Sequence, residues 1–432
     1  MSAIADIAPA AAPKWEAKHR RVLRVAGRYG LSAFGPISVS GAHFAASLLF
    51  LHFLSRTEFG LFAFLFVIVP LCMSASISLL GASIASAVRD SQALGEDVIG
   101  THFKANLVLS ALASLVVFAL LASSGAPLML ALPMALYAGV MTSRCFARNH
   151  AYLTNAPVRA AAADLGYSML LLAGLGALAI SHRLTAPYGA EMLLAASLVS
   201  LGAFGLRYLA RQFRPGRAGS LAAYIPVWRD LTRWSFAGVL LTEITANAHA
   251  YLVTLISGPA SFALLALGSL MMRPASLVLT ALPDMERPVM ARALAAGKPA
   301  DAFRSVKEFR TAAGAVWCGT VLLAGALLLW FPHLILKRGY DETQVVVVIA
   351  IWVAIQAVRA LRTPESVFLQ AAREFRPLAS AGLWSSMASL AATLTLLVTF
   401  GPVASLGGIL FGDLIMTQRI FRITKQWRLR RG

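Results

Sequence analysis

Residues 59–84 read FGLFAFLFVIVPLCMSASISLLGASI, a run of 26 residues without a charged side chain. A transmembrane helix needs about 20 predominantly apolar residues to cross roughly 30 Å of hydrocarbon, so this run predicts a membrane span. The whole chain has a similar composition: of its 432 residues, 58% are hydrophobic and 13% are charged, with a mean hydropathy of +0.72. Soluble domains are about 25% charged. The composition excludes a water-soluble fold, a disordered chain and a coiled coil, and it predicts an all-α integral membrane protein.

The distribution of cationic side chains orients the spans. We place twelve predicted spans near residues 32–53, 59–84, 103–123, 127–147, 160–180, 190–210, 234–257, 260–282, 311–331, 344–363, 377–398 and 401–420. If the N-terminus is cytoplasmic, 33 of the 38 Lys and Arg residues lie on that side, and the opposite side holds Arg56, Arg183, Lys337 and Arg338. Because cytoplasmic loops carry the excess of Lys and Arg, both termini are expected in the cytoplasm. The net charge of +19 is therefore a topology signal and implies no nucleic-acid partner.

The hydropathy pattern repeats after a cationic central segment, which indicates two halves of six spans each. An offset of 203 residues places Phe59 on Phe262 and Arg89 on Arg292. Repeats with an even number of spans are parallel, and their substrate site lies between the halves near the bilayer midplane. The expected organisation is a basic interfacial segment 1–31, an N-terminal lobe 32–210, a cytoplasmic linker 211–233, a C-terminal lobe 234–420 and a basic cytoplasmic tail 421–432.

Motifs of enzymes and metal sites are absent from the sequence. Cys72, Cys145 and Cys318 lie far apart inside apolar runs, without the spacing of a metal site or a disulfide framework. No P-loop and no His-Glu-x-x-His motif occurs. The longest loop away from the cytoplasm is 332–343, which leaves no room for an external acceptor-binding domain. We therefore expect no catalytic residue, no metal and no cofactor.

Two stretches of the sequence resemble a known family. The segment Leu54-Ser55-Arg56-Thr57-Glu58-Phe59-Gly60-Leu61-Phe62 resembles the first helical hairpin of the Wzx-like polysaccharide flippases, a branch of the multidrug/oligosaccharidyl-lipid/polysaccharide exporter superfamily. The segment from Tyr251 through Ser257-Gly258-Pro259 to Met272-Arg273-Pro274 is similar to their seventh and eighth spans.

The resemblance implies a specific architecture and function. It implies about twelve spans in two six-helix lobes around a central cavity, in a multi-pass protein of the bacterial inner membrane. The implied function is to flip an undecaprenyl-diphosphate-linked oligosaccharide from the cytoplasmic to the outer leaflet for surface polysaccharide (exopolysaccharide) assembly, by alternating access. Besides this substrate and the membrane lipids, a polysaccharide polymerase or ligase would be a partner, contacted through the membrane faces. A monomer is the simplest expectation.

Arg273 is a cation inside a predicted span. An arginine near the bilayer centre costs about 2.5–3.5 kcal/mol on insertion scales, so it should face a cavity or a partner. It lies 14 residues beyond Pro259 of the external turn, and Glu243 lies 15 residues before Gly258. On adjacent antiparallel helices the two share a depth, so an ion pair is available. Either that pair only holds the two helices together, or Arg273 offers bidentate donors to a diphosphate in a cavity.

Polar side chains of the first and seventh spans predict a cavity wall in each lobe. At 100° per residue, they form stripes made of Ser40, His43 and Ser47 in the first span and of Thr242, Glu243, Thr245, Asn247, His249 and Tyr251 in the seventh. We assign substrate contacts to Arg273, Glu243, Asn247, His249, His43 and Ser40. Serine and threonine can instead mediate helix packing. A lone histidine usually has a structural role, packed in the interior with its hydrogen bonds satisfied. Asp413 in the last span either packs against a donor or couples ions.

Two other functions remain open. A multidrug and toxin extrusion antiporter of the same superfamily expels organic cations, and many bacterial members keep a carboxylate in the first span, which segment 32–53 lacks. A central arginine would also repel a cation. An embedded polysaccharide-assembly enzyme would need a cluster of Arg and His on the outer side. The candidates there are His182, Arg183, His333, Lys337 and Arg338.

Overall fold

The computed structural model describes residues 35–81, 83, 96–154, 156–214, 219–330 and 340–431, and the long elements in these ranges are all helices. The first lobe contains α1 (Gly35–Phe53), α2 (Arg56–Ser76, extended by a π-helical turn Ile77–Gly81), α3 (Glu96–Ser123), α4 (Leu128–Leu153), α5 (Pro157–Ile180), α6 (Ala186–Leu201) and the short α7 (Leu206–Phe213). The second contains α8 (Arg233–Ser257), α9 (Pro259–Met271), α10 (Arg273–Ala295), α11 (Pro299–Trp330), α12 (Glu342–Ala371), α13 (Phe375–Phe400) and α14 (Ser405–Arg431). The predicted segment 1–31 lies outside the described residues.

The helices have the dimensions of membrane spans. Within the described ranges, nine single helices and the bent pair α9–α10 are long and apolar enough to cross a bilayer. The helices α8 and α14 complete the set of twelve, at 25 and 27 residues. The cations from Arg419 onward make α14 more polar than the other spans. The predicted all-α membrane fold is confirmed, and a helix coincides with each predicted span.

Local sequence explains the tight external turn that opens each lobe. The Ser55 side chain accepts a hydrogen bond from the Glu58 backbone N–H, while the Glu58 carboxylate accepts one from the Ser55 backbone N–H at 2.9 Å. This capping box starts α2 after a gap of two residues, Leu54 and Ser55. In the second lobe, Gly258 adopts a φ of +84°, which favours glycine, and Pro259 takes the first position of α9.

The predicted span 260–282 is broken in the structure. Helix α9 ends at Met271, α10 begins at Arg273, and the two axes are bent by 61°. Pro274 explains the break, because its ring would clash with the carbonyl of residue i−4 in a continuous helix. In the first turn of a new helix the missing N–H of proline costs no hydrogen bond. The break therefore places Arg273 at a helix N-terminus inside the span.

The predicted span 190–210 also ends early. Helix α6 stops at Leu201, and Gly205, with a φ of +93°, begins the separate helix α7. Gln212 of α7 donates a hydrogen bond to the backbone oxygen of Phe103 in α3 at 3.2 Å. The chain therefore leaves the first lobe along its cytoplasmic end, and α7 remains packed on that lobe.

The apolar cores show how the two lobes meet. One cluster flanks the external turns and contains residues of both lobes, such as Phe62 and Leu65 with Phe262 and Leu265. Away from these turns, one cluster around Phe103 and Phe146 belongs to the first lobe, and another around Phe309 and Phe368 belongs to the second. The apolar core that the lobes share therefore lies at the turns, and beyond it each lobe has a core of its own.

The external junction is built from close contacts between α2 and α9. A methyl group at Gly60 would overlap the carbonyl oxygen of Pro259, so the two backbones touch. Arg56 donates from Nε to the carbonyl oxygen of Ala260 at 2.9 Å, and its guanidinium lies 5.0 Å from the ring centroid of Tyr340. These contacts seal the outer side of the gap.

Substitution of Gly60 should open this seal. We expect Gly60→Leu to force α2 and α9 apart, because the added side chain meets backbone that cannot yield, and overpacking of this kind costs about 1–3 kcal/mol. Spin labels at the external ends of α2 and α9 should report a longer distance by electron paramagnetic resonance. Gly166→Leu is the control, since a Cβ at Gly166 meets nothing within 4 Å. An unchanged distance in Gly60→Leu would contradict the role of this contact.

Candidate functional site between the lobes

Arg273 is a partly buried cation that bonds to no described residue. It occupies the first position of α10, and neither a hydrogen bond nor an ion pair joins it to the described part of the chain. The N-terminus of a helix carries a partial positive charge, which adds to that of the guanidinium. Arg273 lies within electrostatic range of His43 in the other lobe. The break at Met272 thus places a guanidinium group and a helix N-terminus together inside the span.

Glu243 is engaged by groups other than Arg273. Asn247 donates to its Oε2 at 3.0 Å, and Ser74 of α2 lies 3.5 Å from its Oε1. Because α2 and α8 belong to different lobes, this carboxylate forms a polar link across the gap. The Arg273–Glu243 ion pair that their shared depth makes available is not formed.

His43 belongs to a polar cluster in the first lobe. Its Nε2 lies 2.8 Å from the Tyr167 hydroxyl and 3.1 Å from the Tyr137 hydroxyl, and the two hydroxyls are 2.9 Å apart. The imidazole also stacks on Phe66, with centroids 4.8 Å apart. The sequence predicts His43 as a site residue but neither tyrosine, because the sequence of a single span does not show which of its side chains face another helix.

A buried ion pair lies directly beside this cluster. The Nη2 of Arg144 in α4 is 2.7 Å from Oδ1 of Asp164 in α5, and these side chains are 4% and 6% exposed. Arg148, one turn further, lies 3.7 Å from Oδ2 of the same carboxylate. The guanidinium of Arg144 also lies over the Tyr167 ring, 4.6 Å from its centroid. Two arginines and one carboxylate leave this triad with a net charge of +1.

The triad around Asp164 is not predicted from the sequence. The distribution of cations groups Arg144 with the cytoplasmic side, although this residue lies inside the predicted span 127–147. The structure places Arg144 inside α4 and buries it. Asp164 lies within the neighbouring predicted span 160–180, and charges of opposite sign inside adjacent spans are expected to pair. The pair could therefore have been predicted from these two positions.

The second lobe contains a similar triad. Arg359 donates from Nε to Oδ2 of Asp413 at 2.8 Å, and Arg362 lies 2.9 Å from Oδ1. These arginines lie on the fourth span of their lobe, α12, as Arg144 and Arg148 lie on the fourth span of theirs. Asp413 therefore packs against donors, and the net charge is again +1.

The remaining predicted site residues lie in different surroundings. His249 is 5% exposed and packs between Phe262 and Trp352, with ring centroids 6.2 and 5.6 Å away, and its Nδ1 has no partner among the described atoms. It therefore lies inside the second lobe rather than beside Glu243. Ser40 is partly buried on α1. Their contribution to substrate binding stays a prediction.

Comparison with known proteins shows the fold. No family model matches the sequence, and no curated protein is similar to it in sequence. The inward closed form of the lipid II flippase MurJ superposes with a TM-score of 0.69 at 10% identity, covering 91% of this chain and 87% of MurJ. An inward-facing MATE multidrug resistance transporter of the MOP superfamily gives 0.62 at 13% identity, covering 90% and 94%. This chain has the fold of the MOP-superfamily transporters.

A third structure of this fold comes from an archaeon. It is a MOP-superfamily transporter from Pyrococcus furiosus, described as having a binding pocket of reverse polarity, with a TM-score of 0.55 and 15% identity over 92% of this chain and 94% of that one. The superfamily expected from the sequence is thus supported at the level of the fold. The Wzx-like branch stays a prediction, since sequence identities this low are common to several branches.

The buried triad around Asp164 should be required for stability. We expect Asp164→Asn to lower the free energy of unfolding by about 3–5 kcal/mol, because removing one partner of a buried ion pair leaves uncompensated buried charge. Thermal unfolding in detergent would measure the loss. Asp301→Asn breaks an exposed Asp301–Arg304 pair with exposed fractions of 48% and 72%, so its effect should stay within about 0.5 kcal/mol. Equal effects of the two variants would contradict this role.

Proposed function

We propose that the chain is a flippase that moves an undecaprenyl-diphosphate-linked oligosaccharide from the cytoplasmic to the outer leaflet for surface polysaccharide assembly. The observation that carries the proposal is Arg273, a partly buried guanidinium at the gap with no anionic partner among the described residues. An unpaired charge at this depth costs free energy unless a bound ligand of opposite charge neutralises it. A diphosphate matches the forked donors of arginine.

The charge of the lobes favours an anionic substrate. The two triads, Arg273 and Glu243 together contain five arginines and three carboxylates, which gives a net charge of +2. Each carboxylate of this set is already bound by a cation or by hydrogen-bond donors. A positive interior of low dielectric attracts an anion strongly and repels a cation equally strongly.

The contacts between the lobes are consistent with loading from the side opposite the turns, which the distribution of Lys and Arg predicts to be cytoplasmic. The lobes touch at Gly60 and Pro259, while two further apolar cores each belong to one lobe. In alternating access the two lobes rock about the substrate site, which would exchange the closed end for the open one. No covalent bond is made or broken in this cycle, so no catalytic residue is required.

A cation antiporter of the MATE type is a second candidate function. Glu243 favours it, because its partners among the described residues are the neutral Asn247 and Ser74 rather than a cation. A carboxylate of this kind can exchange a proton for an organic cation. A drug-sensitivity panel on a strain that lacks the gene separates the two functions: a flippase leaves drug tolerance unchanged, whereas an antiporter confers it.

Substitution of Arg273 tests the flippase directly. We expect Arg273→Ala to abolish surface polysaccharide and to abolish flipping of a fluorescent polyprenyl-diphosphate-linked sugar in proteoliposomes, because the diphosphate loses its cationic ligand. Arg273→Lys should retain part of the activity, since it keeps the charge without the fork. The readouts are polysaccharide immunoblotting and fluorescence quenching, with protein abundance measured in the same membranes.

A matched control lies on the same helix. Arg292 is exposed in the last turn of α10 and donates to the carbonyl oxygen of Pro288, so Arg292→Ala removes an equal charge away from the gap. It should leave flipping unchanged. Normal flipping by Arg273→Ala would overturn the site assignment, and a loss in both variants would show that general charge rather than this position matters.

The cellular setting follows from the proposed substrate. The protein would reside in the bacterial inner membrane, where lipid-linked oligosaccharides are assembled on the cytoplasmic face. It would work as a monomer, since one chain supplies both lobes. A polysaccharide polymerase or ligase would receive the product through the lipid-facing surfaces.

A further inference from the structure

A cavity of about 380 Å³ lies in the cytoplasmic half of the second lobe, apart from Arg273. It is enclosed by α10, α12 and α14, whose described lining residues are Thr280, Pro283, Arg287, Arg362, Thr363, Ser366, Val367, Gln370, Met416 and Ile420. The floor is apolar, with Val367 and Ile420 buried, while Thr280 and Arg287 are exposed at the mouth. The mouth of the cavity therefore lies at the protein surface.

Two guanidinium groups define the chemistry of this cavity. Arg287 approaches it from α10 and Arg362 from α12, and the other polar lining groups are hydroxyls and one amide. Among the described lining residues no carboxylate occurs. Guanidinium and hydroxyl groups are the usual ligands of phosphate oxygens, whereas a cation would find no negative ligand on these walls.

The charge on the cavity walls is not cancelled by Asp413. This carboxylate lies behind Arg362 and is shared with Arg359, at 2.9 and 2.8 Å. One negative charge thus compensates two arginines, and Arg287 adds a third. Arg287, Arg359, Arg362 and Asp413 together carry a net charge of +2, which equals in magnitude the charge of a diphosphate esterified at both ends.

The cavity is in line with Arg273 along α10. Arg287 is 14 residues after Arg273, and at 100° per residue the two positions differ by about 40° around the helix axis. The axial separation is about 21 Å at 1.5 Å per residue. Ser276 and Thr280 lie between them on the same face, and Ser276 accepts a hydrogen bond from Gln356 of α12. A polar stripe thus joins the cavity to Arg273.

We propose that this cavity is a cytoplasmic loading site that binds the diphosphate group of a polyprenyl-diphosphate lipid before the group reaches Arg273. Arg287 and Arg362 provide the bidentate donors, and Thr280, Thr363 and Ser366 provide hydroxyls. That the bound group is then passed on to Arg273 rests on the proposed flippase function. Binding of a diphosphate in the cavity depends only on the groups that line the cavity.

Isothermal titration calorimetry on the purified full-length protein in detergent tests the site. The probes are inorganic diphosphate, farnesyl diphosphate and phosphatidylglycerol, which separate the free anion, the diphosphate lipid and a common phospholipid headgroup. We expect both diphosphates to bind, and Arg287→Gln and Arg362→Gln each to weaken them by about tenfold or more, the size of one lost charge-assisted interaction. Phosphatidylglycerol, with a single charge, should bind more weakly than either.

Matched variants distinguish this site from Arg273. Arg292→Gln, on the same helix but outside the cavity, should leave diphosphate affinity within about twofold. Arg273→Ala should stop flipping and remove the diphosphate site at Arg273, while the titration still shows the site in the cavity. Arg287 is exposed, so its substitution leaves the fold intact, and the melting temperature of each variant verifies this.

Three results would overturn the inference. Unchanged diphosphate affinity in Arg287→Gln and Arg362→Gln would show that the cavity is not the site. Loss of diphosphate binding only in Arg273→Ala would place the sole anion site at the gap, with the proposed flippase function still standing. Equal affinity for phosphatidylglycerol would contradict selection of a diphosphate. Conversely, the protein could bind diphosphate in the cavity and yet flip no lipid. That result would reject the proposed flippase function and leave the cavity site standing.

Discussion

A charge inside a bilayer must be compensated by a group on a neighbouring helix, and this constraint organises each lobe. Arg144 and Arg148 of α4 share Asp164 of α5, while α12 and α14 are joined in the same way through Asp413. Breaking such a pair exposes an uncompensated charge to low dielectric. The triads therefore hold helices of one lobe together as units, and their unequal count of arginines and carboxylates gives the interior its positive sign.

With each lobe held as a unit, the contacts between lobes can change without disturbing either one. Close contacts join the lobes at the turns, where α2 and α9 approach so closely that Gly60 has no room for a side chain. Beyond these contacts each lobe has an apolar core of its own. Packed interfaces tend to be bistable rather than continuously deformable, so this geometry is suited to rocking between two states.

The break before α10 connects this architecture to anion binding. Pro274 ends the continuous helix, and the new N-terminus adds its partial charge to Arg273. Below it, the same face of α10 carries Thr280 and Arg287 to the cavity of the second lobe. The two proposed anion positions therefore depend on one helix, and a lipid headgroup would move along a single polar stripe rather than between unrelated sites.

Much of the architecture was determined by the sequence alone. Apolar runs and the positions of Lys and Arg are local properties, so they predicted the all-α membrane fold and a span at each helix. Arg273 and His43 could be selected for the same reason, because a polar residue within an apolar run is visible without any neighbour. The early end of α6 at Leu201 and the length of α4 were not predicted, since boundaries depend on packing at the helix ends.

Only the tertiary structure decided which polar groups meet. The partners of Asp164 and Asp413, the placement of His249 against Trp352 and the absence of an Arg273–Glu243 pair all depend on how helices rotate and pack. A sequence gives the depth of a side chain in the membrane but not the direction in which it points across to another helix. Hence the number of spans follows from the apolar runs of the sequence, whereas the triads and the cavity follow from packing.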